Sequence, residues 1–131
     1  MVGFGMPAAI GVKAAAPGRP LVAIMGVGSM GYAMIEVQTA VSHKLPVIFN
    51  VLDNQAWGAE KAYKQEFFGG RLLGAEIDSP RFDKFAELCG ARGFWAEGHG
   101  DTGPALEQAL ASGENCFIQC LIDLGALMTL G

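Results

Sequence analysis

Short continuous apolar runs alternate with apolar positions at helical spacing along this chain, and that alternation predicts its elements. Met6 to Ala16 reads as an alanine-rich helix, stopped by Pro17-Gly18-Arg19-Pro20. Leu21 to Met25 is a strand-like run, ended sharply by Gly26-Val27-Gly28. Ser29 is placed to N-cap the next helix, and Met30, Met34, Val37 and Val41 mark one face of that helix, which ends before Pro46. Val47 to Leu52 is a second strand, unalternating, as expected when both its faces are covered. Asp53-Asn54 closes it, and Gln55 to Asp78 reads as helix plus loop. Ser79-Pro80 has the form of an N-cap with proline at the first helical position. It introduces an amphipathic helix through Phe82, Phe85, Ala86 and Cys89, stopped by Gly90. Gly93 to Glu97 is a third strand, Thr102 to Leu110 a helix entered through Pro104, and Cys116 to Ile122 a fourth strand. Such alternation predicts a three-layer α/β/α fold with a mainly parallel sheet. No internal repeat or linker interrupts it, so residues 1–131 read as one domain.

Composition sharpens this picture. Glycine contributes 19 of 131 residues, about twice its usual share, and several glycines sit where an apolar run meets a helical pattern. The chain is 51% hydrophobic and only 17% charged, which excludes a disordered or charge-rich solvated chain. Nine Lys and Arg against thirteen Asp and Glu give a net charge of -4 without a basic run, which argues against nucleic-acid binding. The absence of a long apolar span and of a signal-peptide pattern points to a cytoplasmic protein with no membrane segment. Cys89, Cys116 and Cys120 form no C-x-x-C pair, and His43 and His99 stand alone; buried thiols and ordinary imidazoles are the simpler reading.

In a parallel sheet, ligands bind at the carboxyl ends of the strands. Two turns fall there: 26–29 and Asp53-Asn54. The first lets the backbone approach a ligand and offers helix N–H groups to a phosphate. The second carries an Asn amide oxygen, a hard neutral donor for Mg²⁺ or Ca²⁺. Each is also ordinary turn chemistry taken alone. Taken together, with twenty-four residues between Gly28 and Asp53, they resemble the cofactor motif of thiamine-diphosphate enzymes, G-D-G followed by N-N. The segment Gly3-Phe4-Gly5-Met6-Pro7-Ala8-Ala9-Ile10-Gly11 is similar to the family's GFGLPAAIGA. Arg19 to Ile24 resembles the strand before its glycine turn, and Glu36-Val37-Gln38-Thr39-Ala40 its EL-x-TA helix. The likeness runs from about Gly3 to Ile122 and lies in the pyrophosphate-binding domain. Gln55 to Lys61, then Phe67, Phe68 and Arg71, is similar to the sulfoacetaldehyde acetyltransferase and acetolactate synthase-like group.

The resemblance implies thiamine diphosphate and Mg²⁺ as cofactors. Their expected contacts are Gly26, Gly28, Ser29, Met30, Asn54, Ala56, Trp57 and Gly58, with Asn54 and the Ala56 carbonyl as metal ligands. It implies carbanion chemistry on an aldehyde or 2-oxo acid, with loss of sulfite or carbon dioxide and transfer to an acceptor such as phosphate. For the sulfoacetaldehyde acetyltransferases of that group, sulfoacetaldehyde and phosphate give acetyl phosphate and sulfite. No catalytic side chain is assigned to this chain, because the family's cofactor-activating Glu belongs to its pyrimidine-binding domain. Two departures temper the implication. Val27 stands where the family has its metal-binding Asp, which weakens both cofactor and metal, and Asp53 replaces the first Asn. By the same resemblance the sequence is expected to be truncated at both ends relative to the family. The expected partner is a second copy or a chain supplying the pyrimidine-binding domain. The competing expectation is a non-catalytic domain that keeps the fold and serves as a scaffold. The tail carrying Leu124, Leu127, Met128 and Leu130 is expected either to pack in the core or to form an apolar patch.

Overall fold

The computed structural model describes residues 2–123 and Gly125; Leu124, Leu127, Met128 and Leu130 lie outside the described residues. Helix α1 spans Gly5–Ala15 and leads into strand β1, Val22–Gly26. Helix α2, Val27–Gly31, begins at once, and α3 comes next at Glu36–Ser42. Strand β2 is Ile48–Asp53, α4 is Gly58–Phe67 and α5 is Phe82–Leu88. Strand β3, Arg92–Ala96, helix α6, His99–Ser112, and strand β4, Cys116–Leu121, complete the order. All three strand pairs are parallel, in the sheet order β1-β2-β4-β3. No helix among the described residues is long and apolar enough to cross a membrane.

The largely apolar runs become the central strands because both of their faces are covered. Phe49, Val51 and Phe117 pack beneath α1, α2, α3 and α5, with Phe117 lying 6.2 Å from Phe49 and 6.3 Å from Phe82 between ring centres. Ile48, Cys116, Ile118 and Cys120 face Ala105 and Ala109 of α6. Burial pushes the Cys116 and Cys120 thiols up from their ordinary range, as in inert core cysteines.

Three local expectations are corrected. The helix predicted from Met30 to Val41 is two helices joined by a tight turn, where Ala33, Glu36 and Val37 each donate to the carbonyl three residues back. The buried face therefore runs through Met30, Ala33, Val37 and Ala40, with Met34 and Val41 only half-buried. Ser29 is not an N-cap: it lies inside α2, Gly26 is the cap, and the Ser29 hydroxyl accepts the Gly3 N–H at 3.1 Å. Ser79 does not cap α5, which starts after Arg81. The first free N–H groups of α5, at Phe82 and Asp83, are met instead by Gln119 Oε1 of β4, at 2.7 and 3.3 Å.

Candidate functional site

The glycine turn leaves β1 at Gly26, and the Asp53-Asn54 turn leaves the adjacent strand β2, where Gly26 is in register with Leu52. Between them opens a cavity of about 580 Å³. Gly26, Gly28 and Ser29 line it from the first turn. Asn54, Ala56, Trp57 and Gly58 line it from the second. Seven of the eight expected contact residues therefore share one wall-to-wall space. Met30 is the exception. Its side chain is fully buried in the core beneath α1 and does not line the cavity.

The second turn is held by its own side chains. Asn54 Oδ1 accepts the Ala56 N–H at 3.2 Å, and Asp53 Oδ1 accepts the Gln55 N–H at 2.9 Å. Gln55 adopts a left-handed conformation with φ of 54°. A β-bridge fixes the outgoing strand: Trp57 donates to the Ala75 carbonyl at 2.8 Å and Ile77 to that of Gln55 at 2.9 Å. Among the described residues no donor bonds the Ala56 carbonyl. Gly58 is dictated by Asn54, since a Cβ there would lie 2.9 Å from Asn54 Nδ2.

The first turn is shaped by Trp57. A Cβ on Gly28 would lie 2.5 Å from Trp57 Cε3, so the indole packs flat against bare backbone. Tyr32 meets the same indole edge-on at 5.8 Å. Trp57, Gly28 and Val27 also wall a second cavity of about 340 Å³ that reaches Ser79 and Phe82. Trp57 is thus both a packing residue and the partition between two cavities.

Charge is scarce in the larger cavity. Val27 is buried at its edge and offers only methyl groups. Asp53 adds no carboxylate to this cavity, because adjacent strand residues point to opposite faces and its side chain turns away into the core. There it also accepts Ser79 Oγ at 2.9 Å and Gln119 Nε2 at 2.8 Å. Among the described residues, Glu60 is the only ionisable side chain lining this space. It sits in the first turn of α4, inside the Gln55–Lys61 run that carries the resemblance, although no contact with the cavity is expected of it from the sequence.

The donor set partly fits a hard cation and a diphosphate. Asn54 Oδ1 and the Ala56 carbonyl are two neutral oxygens on one turn, of the kind Mg²⁺ accepts. In the glycine turn, Gly26 leaves its backbone open to close approach, whereas the Trp57 indole covers the bare face of Gly28. The strongest kind of ligand, a carboxylate beside them, is absent at Val27.

Comparison with known proteins places this geometry in context. Residues 1–120 match the family described as thiamine pyrophosphate enzyme, C-terminal TPP binding domain. Sulfoacetaldehyde acetyltransferase of Alcaligenes xylosoxydans xylosoxydans is 39% identical over 129 residues, covering 94% of this chain and 21% of that protein. The enzyme of the same name from Castellaniella defragrans is 36% identical, covering 98% of this chain and 22% of that protein. Among solved structures, the thiamine diphosphate-dependent 4-hydroxybenzoylformate decarboxylase of Rhodococcus jostii RHA1 superposes with a TM-score of 0.87 at 30% identity. That match covers 93% of this chain and 23% of the decarboxylase. The chain therefore spans about a fifth of the length of the curated relatives it matches.

Proposed function

The chain belongs to the thiamine pyrophosphate enzymes, as their C-terminal TPP-binding domain, and on that premise we propose that it is the pyrophosphate-binding part of a transferase or carboligase of the sulfoacetaldehyde acetyltransferase kind. The observation that carries this reading is the 580 Å³ cavity in which the glycine turn and the Asn54–Gly58 turn meet. Thiamine diphosphate, when bound, supplies the carbanion chemistry. The task of this chain is to hold it. The Gly26–Ser29 backbone receives the diphosphate, and Asn54 Oδ1 with the Ala56 carbonyl holds Mg²⁺. Trp57 and Gly58 close the wall beside them. Residues 1–131 act as a single domain, and the remaining parts of the site come from another domain or a second copy. The substrate is a small aldehyde or 2-oxo acid.

Isothermal titration of the chain with thiamine diphosphate, with and without Mg²⁺, tests this reading. Saturable binding that strengthens with Mg²⁺ and weakens in Asn54→Ala supports it. Binding absent in both conditions, and still absent when a full-length relative is added as partner, refutes it.

A second reading is favoured by one observation, the buried valine at position 27. Under it the chain keeps the fold as a non-catalytic partner, with weak cofactor binding and no turnover. Sulfoacetaldehyde or pyruvate incubated with the chain, a chain supplying the pyrimidine-binding domain, thiamine diphosphate and Mg²⁺ then yields nothing above the control that lacks this chain, whereas turnover there favours the first reading.

A further inference from the structure

Asp53 and Gln119 are buried polar side chains to which the proposed chemistry gives no work, with exposures of 1% and 0%. They meet at 2.8 Å, from Gln119 Nε2 to Asp53 Oδ2. Every remaining hydrogen-bonding atom of the pair is also used. Asp53 Oδ1 accepts Ser79 Oγ and the Gln55 N–H, both at 2.9 Å. Gln119 Nε2 also donates to the Pro80 carbonyl at 3.0 Å, while its Oε1 accepts the N–H groups of Phe82 and Asp83. The pair thereby ties three separate pieces of backbone together: the end of β2, the loop entering α5, and β4.

We propose that Asp53 and Gln119 are positioning residues, which fix the turn that presents Asn54 and the Ala56 carbonyl to the cofactor cavity; this rests on the functional reading above. The argument is one of connectivity. Asp53 immediately precedes Asn54, and its carboxylate holds the amide of Gln55, the left-handed residue between Asn54 and Ala56. Gln119 cannot turn its amide over to suit a changed neighbour, because its oxygen already faces two N–H groups and its nitrogen a carbonyl. A carboxylate at position 53 is therefore demanded by the donors around it, whereas an amide would set one N–H₂ against another. An unpaired buried donor costs more than a made hydrogen bond contributes, so the turn and α5 are fixed as one unit.

The test uses the 131-residue chain, with Asp53→Asn, which preserves shape, and Ser79→Ala, which removes one donor and leaves the Gln119 contact. Amide hydrogen exchange is read at Gln55, Ala56 and, as a distant control, Phe117. Affinity for thiamine diphosphate with Mg²⁺ is read by calorimetry. In Asp53→Asn, exchange at Gln55 and Ala56 is expected to accelerate about tenfold with little change at Phe117. Cofactor affinity is expected to fall about tenfold, or about 1.4 kcal/mol. Ser79→Ala is expected to fall between this variant and the parent. Unchanged exchange at Ala56, or the same acceleration at Phe117, overturns the proposal, as does a cofactor affinity that stays level while the turn loosens. If the parent binds no thiamine diphosphate, the functional reading falls, and the exchange ratio alone decides whether the pair fixes the turn.

Discussion

At Gly28 the space for a side chain is already taken by the Trp57 indole, whose Cε3 would stand 2.5 Å from an added Cβ. Gly28→Ala is therefore expected to destabilise the chain by about 1–3 kcal/mol, as overpacking of a closed contact does. Trp57→Ala opens the same space, so the double variant is expected to lose clearly less than the two single losses added together. Urea denaturation of the four proteins checks this, and strict additivity would show that the indole does not limit position 28. Val27 gives the second residue-scale prediction. Without ligand, Val27→Asp places a carboxylate in an apolar setting and is expected to melt lower, at a cost of about 2 kcal/mol. With thiamine diphosphate and Mg²⁺ it is expected to gain more than the parent, because the cation acquires a charged ligand. Equal ligand-induced shifts in thermal melts of both proteins would mean that position 27 does not face the metal.

Helix α5 shows how an element is assembled by distant parts of the chain. Its first N–H groups are capped by Gln119, and Asp83 within its first turn is buried and gripped by Arg81 through two bonds of 2.7 Å. Arg81 also lies 3.9 Å over the Trp95 ring. Burial works to raise the Asp83 carboxyl, but the Arg81 hydrogen bonds and charge outweigh it and hold it below the ordinary carboxylate range. A carboxyl depressed in the folded state contributes stability that is fully present above its ordinary range and is lost as pH falls through the lowered value. Arg81→Ala leaves the carboxylate buried and unpaired. Its melting temperature is expected to drop by several degrees at pH 7, with the deficit narrowing toward pH 3 as Asp83 takes up a proton. A deficit independent of pH would place the loss in the Trp95 contact instead. This element also marks the limit of sequence reading. The strands are legible because Val47–Leu52 and Cys116–Ile122 are apolar but for Asn50 and Gln119 and show no alternation, as two-sided burial requires, and both turns of the site are legible from their glycines and Asn. The Gln119 cap is not, since it lies 37 residues from the amide it serves. Nor is the break between α2 and α3, because Met30 and Val37 keep helical spacing whether or not the backbone between them is regular. Glu60 stands within the Gln55–Lys61 run, but an acid in a first helical turn reads as dipole chemistry until the cavity beside it is seen.

On the scale of the molecule, the described residues cover the sheet unevenly. Among them, four helices pack the face that holds Phe49 and Phe117, whereas the opposite face has α6 over β3 and β4. Val22 and Ile24 of β1, in register with Ile48 and Asn50, lie on that second face beyond α6 and stay 39% and 67% exposed. A β-branched pair on an edge strand is an open invitation to association. Studied alone, the chain is therefore expected to self-associate at high micromolar concentration, with this face buried between copies. Ile24→Lys should shift the population toward monomer in light scattering, because a charge buried in such a contact has no partner. Leu88→Lys is the control: Leu88 is 87% exposed on α5, on the other face of the sheet. It should leave the mass unchanged. A parent that scatters as a clean monomer would remove the expectation altogether, and an equal response to both lysines would assign the association to general hydrophobicity, not to the open face of β1.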